Sequence, residues 1–327
     1  MPNNPPYSLA DLDSIVTNWL QDPTYVRWTQ AEIERYINDA LSDFCNRVQI
    51  LRRTAHLAPD PNEYPLGAFW VLPSDLLQLK RIEWMGLPLR EVDEEHAGAN
   101  YPTGWIQESG QPNWFLMASW GNADVRLYPY TVSSPAFPTT APTAGTGASG
   151  GPRTYCVTFV DTSGNESFPS PFASTTLCYG AGSGLSAIPT GPSGIASRNI
   201  YATSIGSNDG VMFLLGSIAD NTTTTFSDTS ALSLSTSKMP VCPIVEYERS
   251  APVLASGSTN VPAIPSQYHI ALAYYAVAMC FLKKFEYQDA QEASLWMQRY
   301  ESAIADAERK AARKFTTLQR TIRAYGY

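Results

Sequence analysis

Charge is the first thing this sequence is short of. Only 16% of its 327 residues are Asp, Glu, Lys or Arg, against roughly 25% in an ordinary soluble domain. A surface poor in charge and rich in Ser, Thr, Pro, Gly and Tyr suits a chain that buries much of itself in an assembly. A β-rich insert with Ser and Thr on its exposed faces accounts for it equally well. Histidine is scarcer still. His56, His96 and His269 stand far apart and outside any HExxH or Cys/His cluster, which leaves no zinc-hydrolase signature. His269, beside Tyr268 in a helical stretch, reads as a structural polar contact. His96 follows Glu94 and Glu95 and reads as part of a solvated loop, with a metal as the lesser alternative. Cys45, Cys156, Cys178, Cys242 and Cys280 form no CxxC pair, so they are expected to be small buried apolar residues in a reducing compartment. The opening MPNNPPYSLADL has neither a basic n-region nor an apolar h-region, so no secretory signal is expected. The longest apolar run, Ile270 to Leu282 with two tyrosines inside it, is too short to span a bilayer. No membrane partner is expected.

Catalytic patterns are present only as letters. Gly145, Gly147 and Gly150 satisfy GxGxxG, and residues 147–151 satisfy GxSxG, but both lie in a low-complexity stretch with Pro152 directly after. A dinucleotide site needs a strand before the glycines and a helix N-terminus after them. A nucleophile elbow needs a strand-to-helix turn. Glu91, Asp93, Glu94 and Glu95 form an acidic run. Glycoside hydrolysis would want two carboxyls about 5–9.5 Å apart across a cleft, whereas an acidic run in a polar loop is usually just hydrated. The chain is therefore expected to be no enzyme, with no catalytic residue, metal or cofactor.

What is present is a clear alternation of segment types. Ser8 with Asp11 and Thr29 with Glu32 are capping boxes. Leu9, Leu12, Val16 and Leu20, then Ile33, Ile37, Leu41, Phe44 and Val48, recur at helical spacing, so the spacing predicts a helical hairpin. From Tyr64 the pattern shifts to period two. Phe69–Leu72 and Leu76–Trp84 read as strands, and Trp114–Trp120 with Ala123–Tyr128 reads as a hairpin across Gly121-Asn122. Residues 131–152 are linker by composition. Tyr155–Asp161, Thr175–Tyr179, Asn199–Thr203, Met212–Ser217 and Thr222–Phe226 are short strands separated by Gly and Pro turns, the pattern of a small β-sandwich. Ile244–Arg249 adds one strand. From Pro265 the chain is helical with a break near Phe285–Tyr287, and the apolar stripe fades past Ala312.

The expected fold is α+β. A helical bundle, made of the N-terminal hairpin and long C-terminal helices, carries a small antiparallel sheet and is interrupted by an inserted β-sandwich. In residues, a discontinuous core covers 1–135 and 240–327, the insert covers 152–233, and a basic tail covers 309–327. Such an insertion requires that the two ends of the insert lie close together.

A succession of short motifs carries a resemblance. Leu72-Pro73-Ser74-Asp75-Leu76-Leu77 is followed by Ile82-Glu83-Trp84-Met85-Gly86-Leu87-Pro88-Leu89, then by Gly110-Gln111-Pro112-Asn113-Trp114-Phe115 and Val125-Arg126-Leu127-Tyr128-Pro129. This order, over about residues 7–130 and 243–325, resembles the head-to-tail adaptor (connector) proteins of tailed bacteriophages. The segment TYCVTFVDTSGNESFPSP, with Arg198-Asn199-Ile200-Tyr201 after it, looks like an immunoglobulin or fibronectin type III module, which the simplest members of that family lack. The resemblance implies a structural virion protein, assembled in the bacterial cytoplasm. It implies a ring, usually of twelve copies, that joins the portal at a capsid vertex to tail and nozzle proteins and continues the DNA channel.

Net charge is −8, yet after Glu308 no acid follows and six cations do, so the rest of the chain carries −14. Arg309, Lys310, Arg313, Lys314, Arg320 and Arg323 are interleaved with Phe315, Leu318, Ile322, Tyr325 and Tyr327. Cations near a helix C-terminus are favourable by a few tenths of a kcal/mol each, which accounts for two or three of them. A tail that docks onto the portal accounts for the whole set. Transient contact with channel DNA is the lesser option, since the same cations suit phosphates. Two rival readings stand: a tail-associated module whose β-sandwich binds host-surface glycan, through faces such as Thr222–Thr225, and a cell-wall hydrolase using the acidic loop.

Overall fold

The computed structural model describes residues 6–324 apart from 61, 63–67, 94, 96–108, 118–123, 181–183, 207–209, 230–233, 238, 240–241, 257–259 and 284–288, with side chains as far as Ala312. The chain forms two units, Met1–Arg52 with Glu248–Tyr327, and Arg53–Tyr247.

The first unit is helical, and its first two helices start where the sequence caps them. Ahead of α1 (Leu9–Trp19), the Asp11 amide donates to Ser8 Oγ at 3.2 Å and the Ser8 amide donates to Asp11 at 2.8 Å. Thr29 and Glu32 repeat the exchange ahead of α2 (Gln30–Val48). Each box pairs two amides that a first turn would leave open, typically worth about 1 kcal/mol. Between the helices the chain turns through Gln21 and Tyr25, both at positive φ. The Asp22 carboxylate holds that turn by accepting the amides of Val26, Arg27 and Trp28 at 2.9, 2.7 and 3.2 Å. The third helix, α3 (His269–Leu282), packs against α1, α2 and α4 (Ala290–Ala324). That central place is why its sequence is apolar nearly all round. Leu12, Val16, Ile37, Phe44, Leu272, Val277 and Ile304 form the core. The break expected near Phe285–Tyr287 lies outside the described residues.

The second unit is built from strands. One sheet runs β1 (Arg52–His56), β15 (Ile244–Arg249), β4 (Leu76–Trp84), β5 (Leu87–Pro88). A second runs β2 (Ala58–Pro59), β3 (Phe69–Val71), β8 (Asp124–Tyr128), β7 (Trp114–Met117), β6 (Arg90–Glu91). The expected hairpin is there, with Trp114 opposite Tyr128 and Met117 opposite Val125; its Gly121-Asn122 turn lies outside the described residues. A third sheet runs β11 (Ala173–Thr175), β10 (Arg153–Asp161), β13 (Ile195–Ala202), β14 (Phe213–Ile218), and β9 (Thr143–Ala144) pairs with β12 (Leu185–Ser186). Strand β10 is buried on both faces. Cys156 enters a core with Trp70, Trp84 and Phe168, while Tyr155 and Val157 enter another with Ile200 and Leu215. Trp70, Trp84 and Phe168 meet edge to face at 5.2–6.0 Å between centroids, a geometry worth about 0.5–1.5 kcal/mol per pair beyond area burial.

The expected helical bundle with a small sheet is therefore corrected. Among the described residues, fifteen strands in four sheets stand against four α-helices. The reason is length. Five of the strands, β2, β5, β6, β9 and β12, have two residues each, too few to write any periodicity, whereas a helix of 19 or 35 residues writes its stripe many times. Residues 131–152, linker-like in composition, contain β9 and bury Phe137. The strand expected over Thr222–Phe226 is not formed beyond one bridge between Phe226 and Leu185. Asp220 takes the amides of Thr222 and Thr223, both at 2.7 Å, and bends the chain there.

Candidate docking surface

The surface begins on α4, whose packed face is fixed by four positions. Ala293, Tyr300, Ile304 and Ala307 are buried. The Tyr300 hydroxyl donates to the Ala40 carbonyl at 3.1 Å and to Asp43 at 2.8 Å, and burial raises its pKa well above the usual phenol value. Arg47 clamps Glu301 with two bonds of 2.8 and 2.7 Å, which lowers that carboxyl's pKa. These bonds hold α4 against α2 in one rotation about its axis.

Further along, the first two cations of the basic stretch are reached. Lys310 Nζ lies 2.6 Å from Asp306 and 5.4 Å above the Tyr268 ring, and the Tyr268 hydroxyl donates to the same carboxylate at 3.2 Å. Lys310 lowers the pKa of Asp306, and Asp306 in turn raises that of Lys310. Arg309 lies 3.7 Å from Asp306 and donates to the Ala305 carbonyl at 3.2 Å. One acid thus serves both cations. Arg313, Lys314, Phe315, Arg320 and Arg323 stand in the helical backbone of α4, with their side chains outside the described part. Tyr325 and Tyr327 lie outside the described residues.

Among the described residues, the chemistry weighed in the sequence does not converge elsewhere. Buried His269 accepts the Tyr7 amide at Nδ1, 3.1 Å, and its Nε2 lies 2.9 Å from the Ile264 carbonyl. His56 accepts the Met212 amide at 2.9 Å. The His269 bonds are the structural contact expected of it. The paper motifs around Gly147 are tied up: the amides of Gly145, Gly147 and Ala148 donate to the carbonyls of Gly184, Leu177 and Tyr179, so none faces a phosphate. A Cβ at Gly147 would stand 2.3 Å from the Tyr179 oxygen, so close packing explains that glycine. Glu91 sits in β6, while Glu94 and His96 lie outside the described residues. The five cysteines are buried and free. Burial pushes the Cys45 and Cys280 thiols up to about 12, far from a nucleophile's range. Asp220 also takes the hydroxyls of Thr222 and Thr223. Among the described residues, no group of three or more His, Cys, Asp or Glu could hold a metal, and no helix is long and apolar enough to cross a membrane.

Two surface features escaped the sequence. Trp19 stacks on Tyr274 and Trp296 at 5.5 and 4.9 Å, with the Arg299 guanidinium 4.4 Å above Trp296, beside a shallow groove of about 430 Å³ where Leu295 is half exposed. In the strand unit, Met85 is 68% exposed at positive φ in the β4–β5 turn, beside exposed Leu87. Neither has a one-dimensional signal, because apolar residues at helical spacing or at a hairpin tip look the same whether covered or bare. All of these features can recognise a surface.

A family model described as SU10 adaptor protein matches residues 7–179 and 240–323. Residues 180–239, between the matched segments, contain β12, β13 and β14. No curated protein matches the chain.

Proposed function

Because this chain belongs to the SU10 adaptor protein family, we propose that it is a phage structural protein of the head-to-tail junction that works as one member of a closed ring. The ring, of twelve copies as the resemblance implies, joins the portal to tail and nozzle proteins and continues the DNA channel. Its work is to fit surfaces together in the virion, with no bond made or broken. The energy comes from apolar and aromatic area buried at repeated heterologous contacts that close on themselves. Within the chain, residues 152–233 are proposed as an immunoglobulin-like insert in a core of 1–135 and 240–327. The antiparallel set β10, β11, β13 and β14 supports that boundary, as does the buried pair of Arg153 and Asp228 at 2.8 Å, which ties the first and last parts of the segment.

Family membership over most of the chain carries the reading, and the basic stretch gives it a direction. None of Arg313, Lys314, Arg320 and Arg323 has an acid three or four positions away, so no helical ion pair can balance them. Cations with no acid at helical spacing suit an acidic partner, here proposed as the portal, with channel DNA a lesser contact. Removing everything after Ala311 is expected to leave a folded protein that no longer joins the portal ring in negative-stain images. Unchanged co-assembly of the truncated chain would end the proposal.

A further inference from the structure

A group of sulfur atoms in the strand unit stands apart from the surfaces described above. On β10, Cys156 Sγ lies 3.4 Å from Met212 Sδ and 3.3 Å from Met239 Sδ, and all three residues are buried. We propose that these three sulfurs form a binding site for one soft monovalent metal ion, Cu(I). The site lies within one unit of the chain and does not depend on the docking reading.

The first argument counts protons. A thiol has one hydrogen to donate, and a thioether sulfur has none. Both methionine sulfurs stand at donor–acceptor distance from the same thiol, so one weak proton is divided between two contacts and completes neither. A cation at that point takes lone pairs from all three sulfurs together.

The second argument is that the backbone fixes the three positions from separate parts of the chain. Cys156 sits inside β10, opposite Tyr201 of β13. The Met212 amide donates to His56 Nδ1 at 2.9 Å, and the Met239 amide donates to the Met212 carbonyl at 3.1 Å. The methionine side chains beyond those anchors are unbranched and flexible, so the sulfurs can open around an ion while the backbone stays in place.

Chemistry selects the ion. A thiolate with thioethers is a soft donor set and suits Cu(I). Zinc sites draw on thiolate, imidazole and carboxylate instead. The same core holds Trp70, Trp84 and Phe168, an apolar surround that keeps water from competing for the ion. Burial holds the Cys156 thiol well above its ordinary pKa, so it carries its proton when no ion is bound. On binding, the S–H bond breaks, an S–Cu bond forms, the proton leaves to solvent and no electron is transferred. The neighbouring thiol, Cys242, is turned to the Leu57 carbonyl at 3.3 Å and is left out of the site.

The test is an anaerobic titration of the full chain with Cu(I) in competition with bicinchoninate. The wild type is expected to bind one Cu(I) per chain. Cys156→Ser should weaken binding by about 100-fold or more, and Met212→Leu and Met239→Leu by about 10-fold each, while Cys242→Ser stays within about threefold of the wild type. Leu is close to Met in volume, so the core stays filled, and near-ultraviolet circular dichroism checks that each variant is folded. If Cys156→Ser does not fold, the two methionine variants carry the test. No Cu(I) bound by the wild type, or wild-type affinity in Cys156→Ser, overturns the site. Unchanged affinity in both methionine variants would mean a bare thiol and overturns it as well. So would a loss in Cys242→Ser as large as that in Cys156→Ser, which would assign the ion to two thiols.

Discussion

Asp13 shows how a single side chain in this protein can set a pH dependence. It is 3% exposed on α1, its carboxylate accepts the Tyr25 hydroxyl, and Glu34 of α2 is close enough to repel it. Burial raises its pKa above the ordinary carboxylate value, the Glu34 charge adds to that rise, and the Tyr25 bond opposes it. A folded-state pKa above the unfolded one means that the associated stability is complete below the unfolded value. It is then lost as pH rises through the folded value. Asp13→Asn keeps an acceptor for Tyr25 and removes the charge. In urea melts it should match the wild type at pH 3 and exceed it increasingly above the usual carboxylate range. A gain largest at low pH would contradict this account. His269 makes a plainer case. His269→Leu leaves the Tyr7 amide and the Ile264 carbonyl without their ring partners, and should cost about 2–6 kcal/mol, since each lost partner of a buried group costs about 1–3.

At the scale of the element, α4 is held by the packed positions of its first part. Ile304 is fully buried, so Ile304→Ala should cost about 2–5 kcal/mol in a denaturant melt of the free protein. A loss below about 1 kcal/mol would contradict that role in the core. The start of each N-terminal helix was legible from four residues, Ser8, Asp11, Thr29 and Glu32, because a capping box is a local exchange. Past Ala312, Phe315, Leu318 and Ile322 are spaced by three and four among the cations, and the helical backbone runs on to Ala324.

For the molecule as a whole, two units with separate cores should unfold as separable steps. Asp228→Ala would strand Arg153, 1% exposed and 2.8 Å from that carboxylate. Its expected cost is about 3–5 kcal/mol, the usual result of breaking a buried pair from one side. Calorimetry should show this substitution lowering one transition and Ile304→Ala lowering the other. A single transition moved by both would mean that the units unfold together.

The sequence by itself determined the helices, the long strands Leu76–Trp84 and Ile244–Arg249, and the uneven charge, because each is written in neighbours a few residues apart. Tertiary structure alone decided how much of the chain is strand. Two-residue strands such as Ala58–Pro59 and Thr143–Ala144 have no pattern of their own and exist only where a distant backbone offers its hydrogen bonds. It also decided which apolar residues are bare. Met85 and Trp84 are adjacent letters of like character, yet one is exposed and the other is in the core, since burial depends on what the rest of the chain brings against each face.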